Sequence, residues 1–350
     1  MPQWTLGLAD EAGNGLAEVR AAATLTFVRN GAASVEFAID LEDTTASDLV
    51  ATLRNGIPKL RAYRGAALVF NGQWSPMEEE STDSDQPTAE LRATFRSPFD
   101  VLTRRFTAAT VPFVAQDAGT IARSLITTAN TAAATGLTLG TTIATQTRDR
   151  TYEHKQVAEA IVELTAVDGG FDFVERFVDE GVVLAAFDVV IRQGEDQVDA
   201  VFEHGPGTLA NVVRVVRRWL PPVNRARVLG EGGIAGEKSN AASIATYGEW
   251  WPTSIPTASG VVEQATLDDK AIALLRPTPL EIVEFDPNPV LAPQPWDDYW
   301  LGDSVPIRCR FGSLSFETTA RINSIQITLD EEGNEASHTL TFENPTDEVS

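Results

Sequence analysis

The chain has 350 residues, 43% hydrophobic and 22% charged, with 50 acids against 27 bases and a net charge of −23. These values describe a globular protein of two to three domains and exclude a disordered chain. So acidic a balance argues against gripping a nucleic-acid backbone, which takes clustered Lys and Arg.

The opening MPQWTLGLADEAG has neither a basic leader nor an apolar core, so no secretion signal is expected and assembly in a cytoplasm is. No apolar run approaches the ~20 residues of a membrane helix, and no membrane insertion is expected. Next come two alternating runs, AATLTFVR (22–29) and SVEFAIDL (34–41), with Asn30-Gly31 between them as a turn signal. Further short strands punctuated by Gly and Pro follow, and the polar run EEESTDSDQP (78–87) separates the last pair. Such spacing predicts a β-barrel-like domain over 1–106.

Near residue 107 the period changes from strand to helix. Ile121, Ala122, Leu125, Ile126 and Ala129 share one helical face, with Asp117 as N-cap and Gly136 as stop. A second helix is predicted through Val157, Ile161 and Leu164, ended by Gly169-Gly170, and then a hairpin about Gly181. Residues 107–203 read as a small inserted α+β domain.

Strands return in ANVVRVVRRWL (210–220) and NRARVLGEG (224–232), and about 204–250 is assigned to the first sheet, because an isolated strand pair is marginal alone. A third helix, TLDDKAIALLR, is expected from Thr266, with Asp269 three residues on, and is closed by Pro277. Residues 251–350 complete a second β-barrel-like domain. The class is α+β, mainly β, with two related barrel-like domains and one insertion. The relation shows in the sequence: aligning Gly65 with Gly312 gives in each case a strand, the glycine, a second apolar run, an acidic turn and a closing strand.

Motifs of chemistry are sparse. His154, His204 and His338 are isolated, each suited to a surface or interface position, and no zinc spacing occurs, so neither a metal centre nor a bound cofactor is expected. Cys309 lies in the alternating run VPIRCRF and reads as a buried or half-buried strand residue. RVLGEGGIAG fits GxGxxA through Gly230, Gly232 and Ala235, with Glu249 about twenty residues on, yet only a weak helix former ending in Trp and Pro follows, so a glycine loop is the better account. The acidic runs at 78–85 and 330–335 lack the order of a calcium loop and read as solvated turns. Trp250-Trp251 and WDDYW (296–300) fit packing or an interface better than a sugar site. The one basic concentration is RVVRRWLPPVNRAR, with Arg214, Arg217 and Arg218 as candidate contacts to acidic neighbours and internal neutralisation as the competing role.

The order of these elements resembles the tail hub (baseplate hub or minor tail) proteins of long-tailed bacteriophages. RAYRG, LVFNGQW and SPFDVLTRR are similar to their opening domain, DAGTIARSLI, RTYE and IVELTAVDGGFDFV to their α+β domain, and LGDSVPI with ARINSIQITLDEEG to their last barrel. The resemblance spans roughly 50–345 and rests on order and spacing.

It implies a structural virion protein with no catalytic residues, located at the tail tip. A homotrimer in which each subunit gives two barrel-like domains would form a ring of approximate sixfold symmetry under the tail tube. Implied partners are the tail tube or distal tail protein, the tape measure, and other tip or fibre proteins. The tail is expected to be non-contractile, as in siphophages, and any lysin or spike to be a separate protein. DNA would pass during ejection without specific binding, so Glu78, Glu79, Glu80, Asp330, Glu331 and Glu332 are candidates for the channel or its rim. The alternatives are a distal tail adaptor, a receptor- or glycan-binding tip module, and a glycan-cleaving enzyme.

Overall fold

The computed structural model describes every residue except 1–2, 11, 44–46, 56–57, 83–87, 108–109, 167–168, 207–208, 258–263, 289–290, 313 and 343–350. The chain forms two compact units, one of Met1–Arg214 with Phe285–Thr341 and one built on Val215–Glu284. The fold is mainly β with a minority of helix, the α+β class expected.

In the first unit the strands begin with β1 (Trp4–Ala9), β2 (Gly15–Val19), β3 (Ala23–Val28) and β4 (Ser34–Asp40). Strict alternation turns Leu25, Phe27, Val35, Phe37 and Ile39 inward. Helix α1 (Ser47–Asn55) precedes β5 (Lys59–Arg64), β6 (Ala67–Thr82) and β7 (Thr88–Arg96). The α+β segment holds β8 (Val111–Asp117), α2 (Ala118–Ala132), β9 (Leu137–Leu139), β10 (Thr147–Tyr152), α3 (Val157–Thr165), β11 (Asp172–Glu180) and β12 (Val183–Val190). Asp117 caps α2, accepting the Thr120 N–H at 2.9 Å, and Ile121, Leu125, Ile126 and Ala129 are buried. They share one core with Ile161 and Leu164 of α3 and with Phe99, Phe173 and Phe187. Full burial contributes about 1.5–3 kcal/mol for each such side chain, so this segment has a core of its own.

After β13 (Phe202–His204), β14 (Val212–Leu220) runs into the second unit, where β15 (Arg225–Leu229) pairs antiparallel with β16 (Ala235–Ser239). Helices α4 (Ala241–Tyr247) and α5 (Gln264–Ala273) follow, and β17 (Leu280–Pro287) returns to the first unit. Of the strands within 209–229, β14 joins the large sheet at its edge, next to β17, whereas β15 pairs with β16 in a separate ribbon. Glu237 on β16 holds both Arg225 and Arg227 of β15, which gives that ribbon its own internal closure. The glycines of GEGGIAG turn this hairpin, with Gly232 and Gly233 at φ 74° and 82°, so no nucleotide-binding helix opens there. Thr266 lies inside α5 and not at its start; its side chain and that of Asp269 fall outside the described residues.

The closing strands are β18 (Ser304–Phe311), β19 (Leu314–Leu329) and β20 (Glu335–Phe342). Within the first unit the strand order is β20-β19-β3-β4-β7-β6-β5-β1-β2, an open path with β18 beside β19. The echo about Gly65 and Gly312 has a structural counterpart. Both glycines sit at φ 59°, each closes a tight antiparallel hairpin, and each precedes a strand of 16 residues. Both long strands change partner along their length. β6 pairs with β5 up to Gln73 and with β7 beyond it; β19 pairs with β18 up to Arg321 and with β3 from Ser324.

Candidate interface surfaces

The pleat divides the arginine row. Arg214 and Arg218 stand four apart on one face of β14, and Arg217 points to the other. In the first unit Arg214 donates to Asp286 at 2.9 Å. In the second, Arg218 forms an ion pair with Glu284 at 3.0 Å, and the Arg217 guanidinium lies 4.8 Å from the Trp219 ring centre. The Arg214 and Arg218 side chains remain 59% and 57% exposed, and a surface pair of this kind contributes only about 0–1 kcal/mol.

Glu78, Glu79 and Glu80 were expected in a turn and lie instead on β6, all exposed. An exposed strand face tolerates charge because its carboxylates stay in water: Glu78 stands opposite Arg92 and Glu80 opposite Glu90, and Arg92 pairs with Glu90 at 3.2 Å. Arg54 grips Glu79 with two donors at 2.7 and 2.9 Å and holds its carboxyl below the usual range. The remainder of that acidic run, 83–87, falls outside the described residues.

Asp330 opens the turn between β19 and β20, with Glu331 and Glu332 exposed. The Asn334 backbone and side-chain N–H groups donate to Asp330 and keep its carboxyl low. The same chemistry recurs between β1 and β2. DEAGN (10–14) and DEEGN (330–334) both place Asn N–H on the Asp carboxylate, at 2.8 and 2.7 Å, and Gly N–H on the Asp carbonyl, at 3.0 and 3.1 Å. Comparing the two pentapeptides would have revealed this second echo in the sequence; the alignment on the hairpin glycines passes over it.

No family model and no curated relative matches the chain. Solved structures do. A tail protein from Neisseria meningitidis superposes with a TM-score of 0.56 at 11% identity, over 97% of this chain and 96% of that one. The 43 kDa tail protein of prophage MuSo2 from Shewanella oneidensis gives 0.57 at 10%, over 98% of each. Prophage tail protein gp18 from Listeria monocytogenes gives 0.51 at 11%, over 98% and 94%. The chain has the fold of these phage tail proteins.

Within this tail-protein fold the WDDYW cluster is a packing element. Trp296 and Trp300 stack at 3.9 Å, Phe27 meets both edge-on, and Trp4 meets Trp296 at 5.2 Å. Glu335, buried beneath them, accepts the Trp4 indole N–H at 2.8 Å, while Arg64 pairs with Asp297 at 2.6 Å. His338 is only 1% exposed, a correction to the surface role expected of it, and burial pushes its pKa down. Cys309 is buried in β18, as expected.

Two carboxylates missed by the sequence reading tie the α+β segment to the sheet. Asp172 accepts from Arg29 (3.1 Å), Asn30 (2.6 Å), the Gln193 backbone (2.8 Å) and Arg321 (2.5 Å). Burial acts to raise its pKa, but the Gln193 amide, Asn30 and the two arginines outweigh it and hold the carboxyl low. Glu175 accepts from Ser97 Oγ at 2.5 Å and Phe99 N–H at 2.9 Å, yet burial pushes it up to about 7. Among the described residues no group of three His, Cys, Asp or Glu could hold a metal ion, and no helix is long and apolar enough to cross a membrane.

Proposed function

We propose that this chain is a structural protein of a phage tail, and that three copies form a hub at the tail tip. The hub joins the tail tube to the tip proteins and leaves a passage for DNA. The observation that carries this reading is the doubled architecture: a Gly hairpin at φ 59° leading into a 16-residue strand that changes partner, twice in one chain. Three copies of a chain with two like modules offer six like surfaces, which is how a threefold ring meets a sixfold tube. Likeness over nearly the whole length of the Neisseria and Shewanella tail proteins supports the same assignment.

The first hub module is 1–106 with about 204–250, the insertion 107–203, and the second module 251–350. Arg214, Arg217 and Arg218 contact a neighbouring subunit, while Glu78, Glu79, Glu80, Asp330, Glu331 and Glu332 face the channel or its rim, where carboxylates repel the phosphates that pass. No catalytic step is assigned. Light scattering on the purified chain tests the stoichiometry: a trimer is expected, a stable hexamer favours a distal adaptor, and a monomer at high concentration removes the hub.

A further inference from the structure

In the second unit the core is small: Val228, Leu267 and Ala271, with Ile234 and Leu274 packed against them. Outside it, one short segment carries Tyr247, Trp250 and Trp251, exposed at 43%, 44% and 36%. These rings are held in place. Asn224 is fully buried; it accepts the Trp250 backbone N–H at 2.8 Å and donates to Gly248 O at 2.7 Å and Ser243 Oγ at 3.2 Å. The Trp250 carbonyl in turn accepts the N–H groups of Asn224 and Arg225, both at 3.1 Å. Each indole is oriented by its own donor: Trp250 Nε1 to Tyr247 O at 2.8 Å and Trp251 Nε1 to Glu249 at 2.7 Å. Arg225 lies 5.0 Å from the Trp251 ring centre and pairs with both Glu249 and Glu237. Among the described residues the Trp250 ring has no aromatic or cationic partner.

We propose that the Tyr247–Trp251 segment is a carbohydrate-binding platform for a neutral hexose polymer. Asn224 fixes the backbone of this segment and each indole N–H has its own acceptor, so the exposed rings lose little further freedom on binding. Such a ring face suits the C–H face of a pyranose. The charges beside it are paired, and their remaining donors and acceptors are available to sugar hydroxyls while staying wet. A protein laid over the same rings would have to dry Arg225, Arg227, Glu237 and Glu249, at several kcal/mol per ion, and interface centres are depleted in such groups. The unit also lacks the field that would draw a charged polymer. Residues 215–284 hold seven Lys and Arg against eight Asp and Glu, and with the three acids of 343–350 the unit carries only −4 of the net charge of −23. The inference stands independently of the hub assignment.

The test is titration of the full chain with cellohexaose, maltohexaose and N-acetylchitohexaose, read by tryptophan fluorescence and calorimetry. Saturable binding of at least one is expected, weakened by about tenfold or more (about 1.4 kcal/mol) in Trp250→Ala and Tyr247→Ala, with the unfolding midpoint of Tyr247→Ala unchanged. Should Trp250→Ala fail to fold, Tyr247→Ala and Glu249→Gln carry the comparison. No saturation with any of the three at millimolar sugar overturns the proposal, as does equal affinity in the variants. Variants that lose self-association and never bound sugar would instead make this face a protein interface. Stoichiometry in solution is a separate readout, so failure here leaves the hub assignment where it was.

Discussion

Replacing Asp172 by Asn should destabilise the first unit severely while keeping the shape of the side chain. The carboxylate is 7% exposed and sits between guanidiniums of Arg29 and Arg321 that are themselves 14% and 11% exposed. An amide keeps one acceptor oxygen but turns an NH2 toward groups that only donate, and it removes the negative charge that Arg29 and Arg321 share. Breaking a buried pair by removing one partner costs about 3–5 kcal/mol. At about 2–4 °C per kcal/mol, the midpoint should fall by roughly 6–20 °C in a thermal melt. The sign with pH follows from the lowered carboxyl. Its stabilisation is fully present above the ordinary aspartate range and is lost as pH falls through the depressed value. The gap between wild type and Asp172→Asn should therefore be widest near neutrality and close in acid. A variant within about 1 kcal/mol of wild type at neutral pH, with no narrowing in acid, would refute the claim that this knot holds the α+β segment to the sheet.

Glu175 carries the opposite sign: raised to about 7 from 4.5, it favours the fold below its unfolded value, and that contribution is lost as pH rises through about 7. Glu175→Gln should remove a loss of up to about 3 kcal/mol between mildly acidic and alkaline pH, measured by urea unfolding across that range. Gly65→Ala and Gly312→Ala should each cost about 1–2 kcal/mol from the left-handed backbone, and at Gly312 the added methyl meets no atom within 4 Å, so a much larger loss there would point to an unrecognised contact. Arg218→Glu should leave the monomer's folding stability within about 1 kcal/mol of wild type while weakening assembly, seen as a shift in mass at fixed concentration. Normal assembly of that variant would remove Arg218 from the subunit contact.

Local features were legible in the sequence because short-range chemistry sets them. Asn30-Gly31, the Asp117 cap, the Gly181 hairpin and the alternation of β3 and β4 all lie where residue type and spacing put them. The acidic run at 78–80 was misread because charge is rare in strands, yet these residues of β6 are exposed and Glu79 is paired by Arg54. The Asp172 knot could not be seen. Its members, Arg29, Asn30, Asp172, Gln193 and Arg321, are scattered over nearly 300 positions, and nothing in their neighbours marks them as buried. The preorganised Trp250-Trp251 segment was visible only as composition, since the residue that fixes it, Asn224, lies 26 positions upstream.

The central claim is a threefold hub built from two like modules, and a map of the purified, assembled particle by electron cryomicroscopy tests it most directly. The account predicts a threefold ring in which the Gly65 and Gly312 hairpins alternate as six similar features around an open axis, with carboxylates outnumbering Arg and Lys on the wall. A true sixfold ring that repeats one hairpin type, or a lumen lined by arginine, would contradict it.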